Sequence, residues 1–260
     1  MAAFPFLPTS TTDANSTMTV GNVWLTDFAP IRPVINARPL GHGAMASATR
    51  LLEMSLAEGF VETVDSLWLN GKQNCVAHLD GLQLFVRLKS LSLQNSGIKN
   101  RDLKHVARLW QLEELLLTNN LDINDAGAAK LESMRNVKYL SLEWTGITDA
   151  ALRSIAKLAS LQELAIGGPW LTGSRVAELQ ALPALEKLTL IGDRIDSNCL
   201  EQLKTFPALT CLCLGLTSIN DDGLEHIQSL LQLQTVQLPA TVSDQAAAQL
   251  ARALPGCMIR

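Results

Sequence analysis

One spacing of hydrophobic residues recurs along most of the chain. From Val64 onward, aliphatic residues follow the pattern L-x-x-L-x-L, and successive starts such as Leu88 and Leu112 are 24 residues apart, with one step of 25 from Leu112 to Val137. Apolar residues that alternate over so short a run are typical of a β-strand buried on one face. The eight strand cores share one register: Val64/Leu67/Leu69, Leu88/Leu91/Leu93, Leu112/Leu115/Leu117, Val137/Leu140/Leu142, Leu161/Leu164/Ile166, Leu185/Leu188/Leu190, Leu209/Leu212/Leu214 and Leu233/Val236/Leu238.

The remainder of each unit predicts a short helix. Apolar residues recur there at a spacing of three, as in Leu152, Ile155 and Leu158, which places them on one face of an amphipathic helix. A polar residue that can cap the helix precedes several of these segments. The acidic members of this set are Asp125, Asp149, Asp196 and Asp221.

Repetition of this kind predicts a solenoid. A single unit cannot cover its own leucines, but stacked units bury them as one continuous ladder. A helix is wider than the spacing of about 4.8 Å between strands, so the stack must curve with its strands inside. We therefore predict an α/β, right-handed solenoid with parallel strands on the concave face and short helices on the convex face.

The repeat resembles the leucine-rich-repeat family. The segment Thr145-Gly146-Ile147-Thr148-Asp149, followed by Leu152 and Ile155, is similar to the bacterial 24-residue form, which is related to the cysteine-containing repeats. Thr217-Ser218-Ile219-Asn220-Asp221 is a second match. The resemblance covers residues 64–260 and implies a scaffold that binds other proteins, with widely varied partners.

Three regions are predicted along the chain. Residues 1–20 predict a disordered tail because residues 9–19 are small and polar, although their Ser/Thr content also fits a bacterial secretion signal. Residues 21–63 predict an N-terminal cap, with a helix over about 43–58 that ends at Gly59. Residues 64–260 form the repeat domain of eight units.

Composition limits the classes of partner. Of the 260 residues, 47% are hydrophobic and 18% charged, with a net charge of -4, which argues against nucleic acid as the main partner. No apolar run approaches the length of about 20 residues that a membrane helix needs. The five cysteines are odd in number and fit no disulfide framework, so we expect free thiols, a reducing compartment and a cytoplasmic protein.

The candidate binding site lies on the concave face. Counted from the first aliphatic residue of each unit, the third, fifth, seventh and eighth positions point away from the core or follow the strand directly. Exposed aromatic rings among polar groups are typical of binding hot spots, so we predict that a protein partner binds here. Glu114, Glu143 and Glu163 form an acidic patch, with Lys187 at its edge, so we expect the partner to present a basic residue. The predicted partner-binding residues are Glu114, Leu116, Tyr139, Glu143, Trp144 and Glu163.

Glycines beside this site have two explanations. Gly167, Gly168, Gly192 and Gly215 could let the backbone of a partner approach closely. Crowding on the inside of a curved sheet would equally select glycine, with no role in binding.

Catalytic patterns are weak in this sequence. Glu114 and Glu163 are predicted to lie about 9–10 Å apart, near the separation of the carboxylates in inverting glycosidases. Cys211-x-Cys213 lacks further ligands for zinc, and Cys75-x-x-His78 lacks an orienting carboxylate. We predict no catalytic residue, metal or cofactor, and a non-catalytic binding scaffold. The alternative is a secreted bacterial effector, or a toxin-immunity partner, that uses the same surface.

Overall fold

Ten parallel strands form one sheet in the order of the sequence. The computed structural model describes residues 34–36, 64–71 and 79–260, and of 34–36 the backbone only. The strands are Val34–Asn36 (β1), Ser66–Trp68 (β2), Ser90–Ser92 (β3), Glu114–Leu116 (β4), Tyr139–Glu143 (β5), Glu163–Gly167 (β6), Lys187–Ile191 (β7), Cys211–Cys213 (β8), Thr235–Gln237 (β9) and Met258–Ile259 (β10).

The eight predicted strand cores correspond to β2–β9, and the sheet extends by one strand at each end. Strand β10 pairs with β9 and continues the sheet past the eighth unit. Strand β1 pairs with β2 and lies within residues 21–63, the predicted cap. The other cap residues, including the helix predicted over about 43–58, lie outside the described residues, as does the tail predicted over residues 1–20.

Short helical segments line the convex face. The α-helices are Leu103–Val106 (α1), Asp125–Ala128 (α2), Leu152–Ile155 (α3), Asn198–Glu201 (α4) and Asp244–Ala253 (α5). The 3-10 segments are Leu79–Leu84, Ala129–Leu131, Asp149–Ala151, Val176–Ala181, Gln202–Thr205 and Asp221–His226. A 3-10 helix has three residues per turn, so an apolar spacing of three keeps one face against the core. The α/β solenoid fold class predicted from the sequence is confirmed.

A ladder of aliphatic side chains fills the space between the strands and the helical segments. Leu140, Leu164 and Leu188 lie opposite one another in neighbouring strands, and each is at most 1% exposed. Residues that close each loop, such as Ile147 and Ile195, are equally buried. Because each unit buries its leucines against the next, the strand register is fixed and the concave positions follow from it.

Three of the four acidic residues predicted as caps link successive units on the convex side, whereas the fourth, Asp196, accepts the N–H of Asn198 at the start of its own helix. The Asp125 carboxylate accepts hydrogen bonds from the backbone N–H and the hydroxyl of Thr148, both at 2.8 Å. Asp149 accepts the same pair from Thr172. The cap predicted at Asp149 is wrong by one residue, since the Thr148 hydroxyl oxygen accepts the N–H of Ala150.

Candidate functional site

The third position of each repeat unit brings three of the predicted residues, two acidic and one aromatic, into one row. Glu114 lies opposite Tyr139 in register, and Tyr139 lies opposite Glu163. Neighbouring strands are about 4.8 Å apart, so a carboxylate lies on either side of the tyrosine. Glu114 is exposed, and no side chain in residues 64–71 and 79–260 pairs with its carboxylate. Tyr139 and Glu163 are half-buried.

Tyr139 keeps its proton at neutral pH. Burial raises the pKa of its hydroxyl above the ordinary 10.0, and the negative charge of Glu143 adds to this effect. Lys187 acts in the opposite direction but does not reverse it, while Glu163 and Glu114 raise the pKa further. The hydroxyl therefore remains a hydrogen-bond donor and acceptor toward a bound partner.

Glu163 is not a free carboxylate. The ammonium group of Lys187 lies 3.2 Å from its Oε2 atom, and both side chains are partly exposed. Burial would by itself lower the pKa of Lys187, but the ion pair with Glu163 outweighs burial and raises it. Part of the negative charge predicted for this surface is thus neutralised within the protein, and the acidic character shifts toward Glu114 and Glu143.

Glu143 is held at the end of strand β5 by hydroxyl groups. The Ser141 hydroxyl lies 3.3 Å from Glu143 Oε2, and the Thr118 and Ser141 hydroxyls are 2.6 Å apart. Leu116 lies opposite Ser141 in register and is half-buried. Four of the predicted residues, Glu114, Leu116, Tyr139 and Glu143, therefore lie on two neighbouring strands.

Trp144 occupies a backbone conformation that suits glycine better than tryptophan. Its φ angle is +53° and its side chain is 42% exposed. The eighth position has positive φ in seven successive units: Gly71, Asn95, Asn119, Trp144, Gly168, Gly192 and Leu216. A bulky L-residue in this region costs roughly 1–2 kcal/mol, whereas Gly and Asn adopt it readily.

Leu216 is the second bulky residue at an eighth position, and it was not predicted as part of the site. Its φ angle is +57° and its side chain is 69% exposed. The signal was present in the sequence, because Gly or Asn occupies the eighth position in five units. That preference indicates a left-handed backbone conformation at the eighth position, and the fold does not require an exposed leucine there.

Comparison with solved structures places this architecture among known solenoids. Internalin C2 of Listeria monocytogenes superposes with a TM-score of 0.56 at 24% identity, over 70% of this chain and 72% of that chain. An internalin (inlF) of the same species gives a TM-score of 0.57 at 18% identity, over 78% and 61%. A Bacteroides fragilis protein gives 0.58 at 14% identity, over 81% and 69%. The chain has a leucine-rich-repeat fold. No family model and no curated protein matches the sequence.

Crowding explains three of the four glycines in this leucine-rich-repeat sheet. A Cβ atom on Gly167 would overlap the backbone carbonyl oxygen of Ile191. One on Gly192 would lie 2.8 Å from the carbonyl oxygen of Gly168, and one on Gly168 would lie 3.0 Å from that of Thr145. Gly215 differs, since a Cβ there would meet only Gln237, at 4.0 Å. The structure thus favours crowding over partner approach for Gly167, Gly168 and Gly192.

The cysteines of the leucine-rich repeats are unpaired where the structure describes them. Cys211 and Cys213 lie on the concave side of β8, and Cys199 and Cys257 are also free. Burial, followed by the neighbouring Cys213, raises the pKa of the Cys211 thiol, which disfavours the thiolate that metals need. Within residues 64–71 and 79–260, no three His, Cys, Asp or Glu side chains are grouped as metal ligands. Cys75-x-x-His78 lies outside the described residues.

Two further features bear on function. Glu114 and Glu163 lie two strands apart, as predicted, but Glu163 is engaged by Lys187 instead of facing an open cleft. None of the helices that the structure describes combines the length and the apolar composition needed to cross a lipid bilayer.

Proposed function

We propose that this leucine-rich-repeat protein binds another protein through the middle of its concave face and catalyses no reaction. The observation that carries the proposal is the half-buried Tyr139 beside the exposed, unpaired carboxylate of Glu114. An aromatic ring with a hydroxyl group and a neighbouring charge is typical of the anchor of a protein interface. Leu116, Glu143 and Trp144 extend the same surface.

The partner supplies a basic residue, and arginine suits the site better than lysine. Glu163 is offset by Lys187, so Glu114 and Glu143 remain as the negative charges that attract a cation toward Tyr139. A guanidinium group pairs with a carboxylate through two hydrogen bonds and stacks on an aromatic face at the same time. Lysine offers a point charge without the planar fork.

The test is the affinity for a co-purified and identified partner, measured by calorimetry. We expect Tyr139→Ala and Glu114→Lys each to weaken binding by about 30-fold or more, as loss of a central anchor usually does. Glu225→Lys is the matched control, because Glu225 is 73% exposed in the helical segment Asp221–His226 on the convex face. If both concave variants keep their affinity within a factor of two, the binding site lies elsewhere.

The compartment belongs to the same proposal. We favour the cytoplasm, since free thiols persist in a reducing compartment. The alternative role, a secreted bacterial effector or a toxin-immunity partner, would use the same concave surface. Fusion of residues 1–20 to a reporter tests it, because export of the reporter would favour the effector.

A further inference from the structure

We propose that the binding surface continues to the edge of the sheet that is formed by the carboxyl ends of the strands. There, Trp144 and Leu216 lie on either side of an extended segment of the partner. This inference rests on the proposed function and specifies the partner: one stretch of extended polypeptide with an arginine beside a small residue. It adds Leu216 to the site and assigns Trp144 a definite role.

The first argument is that the fold does not require either side chain. Both residues have positive φ, and the same position in five other units is glycine or asparagine. Leu216 is 69% exposed and Trp144 42% exposed, so neither side chain is buried in the core in return for the unfavourable backbone conformation. Residues that break a local rule without such compensation are concentrated at functional sites.

The second argument is that the two residues belong to one rigid edge. The N–H of Trp144 donates to the carbonyl oxygen of Gly167 at 2.8 Å. In the next units, Gly168 donates to Ile191 at 2.9 Å and Gly192 donates to Leu216 at 3.1 Å. Three strand spacings therefore separate Trp144 from Leu216, a distance of about 14 Å between their backbones.

The shape of this edge favours an extended chain over a helix as the bound segment. Gly168 and Gly192 lie between the two bulky residues and carry no side chain, so Trp144 and Leu216 project beside a low floor. A helix is about 10–12 Å wide with its side chains and would not fit within 14 Å once both flanking side chains are included. A single extended chain that runs along the strands does fit, with its small residue over the glycines.

Charge complementarity selects the arginine. Glu143 directly precedes Trp144 and lies opposite Gly167 in register, at the side of this floor. Among the described side chains its carboxylate is hydrogen-bonded to the Ser141 hydroxyl and forms no ion pair, so no cation of the described residues neutralises it. An arginine beside the small residue of the bound segment reaches Glu143 at the end of β5.

The experiment uses random peptides displayed on phage, selected on the full-length protein and counter-selected against the double variant Trp144→Asn/Leu216→Asn. Asparagine suits positive φ, so these variants should fold as well as the wild type. We expect the recovered peptides to carry arginine next to glycine or alanine. Their affinity should fall at least tenfold for each single variant, as measured by fluorescence anisotropy of a labelled peptide.

Trp110→Asn and Leu231→Asn are the matched controls, since both side chains are more than 70% exposed in turns that precede strands at the opposite edge. Equal binding to wild type and to both edge variants, or recovery of no peptide that distinguishes them, overturns the inference. If Tyr139→Ala then abolishes binding of the identified protein partner, the proposed function stands without the edge. If only Trp144 and Leu216 matter, the inference stands, and the proposal of a Tyr139 anchor fails.

Discussion

The ammonium group of Lys187 reaches across one strand spacing to the carboxylate of Glu163, at 3.2 Å. This pair divides the concave row into a neutralised half and an acidic half. The acidic half contains Glu114, opposite Tyr139 on β4, and Glu143, at the far end of the strand that begins with Tyr139. The basic residue of a partner should therefore bind nearer to β4 and β5 than to Lys187 on β7.

Tyr139 provides a direct measure of this charge distribution, because it is the only tyrosine in the sequence. We expect its pKa to lie above 10.0, to fall in Glu143→Gln and to rise further in Lys187→Gln, since the carboxylate opposes ionisation and the ammonium favours it. The ultraviolet absorbance of tyrosinate during an alkaline titration gives the value. A pKa that is the same in all three proteins would mean that these charges lie too far from the ring to act on it.

Gly167 and Gly215 offer a matched pair for the crowding explanation. We expect Gly167→Ala to lower the free energy of unfolding by about 3 kcal/mol, because the added methyl group would overlap backbone and not a flexible side chain. Gly215→Ala should be neutral or stabilise by about 0.5 kcal/mol, since the position is open and alanine restricts the unfolded chain. Urea denaturation measures both, and equal effects would contradict the strand geometry.

Glu113 should make the free energy of unfolding depend on pH in the acidic range. Hydrogen bonds from Lys138 and Lys89, each 2.8 Å away, lower its pKa from 4.5 to about 2. A lowered pKa contributes stability that is complete above pH 4.5 and disappears as the pH falls toward 2.

The three side chains are partly exposed, so we expect Glu113→Gln to cost only about 0.5–1 kcal/mol at pH 7. The difference from wild type should vanish near pH 2, as followed by thermal unfolding at a series of pH values. A difference that persists unchanged at pH 2 would show that packing, not charge, is responsible.

Leu216→Asn should stabilise the fold by about 1 kcal/mol, because it relieves an unfavourable left-handed conformation and removes few contacts. Asn119 shows that the backbone accepts asparagine at the same position of another unit. Leu121→Asn is a suitable control, since Leu121 is 57% exposed but does not have positive φ. Loss of stability in Leu216→Asn would mean that its side chain contributes to packing.

The sequence predicts the repeat well because buried aliphatic residues at regular intervals determine it. Leu164 and Leu188 repeat at a fixed interval and stack in register, so the concave row through Tyr139 follows from arithmetic along the chain. Pairing between long polar side chains does not follow in the same way. Whether Lys187 reaches Glu163 or turns toward Cys211 depends on rotamers, which strand periodicity does not determine.

The capping prediction was correct for Asp196, which accepts the N–H of Asn198, and failed at the other three aspartates for a related reason. Asp125, Asp149 and Asp221 fit the first turn of a helix, and a cap is the commonest role for such a residue. Their partners are hydroxyl groups of the next unit, more than twenty residues away in the sequence. Local pattern cannot distinguish a carboxylate that serves its own helix from one that serves its neighbour.

These carboxylate links are not repeated in every unit. At the position equivalent to Asp149, the next two units have Gly173, which has no side chain to offer, and Ser197, whose hydroxyl makes two neutral hydrogen bonds with Asn220, at 2.7 and 3.3 Å. Hydrogen bonds to a charged group are roughly twice as strong as neutral ones, so the cohesion between units drops here. The convex side therefore links neighbouring units unevenly, with charged hydrogen bonds from Asp125, Asp149 and Asp221 and no side-chain link from position 173, while the strands pair continuously on the concave side.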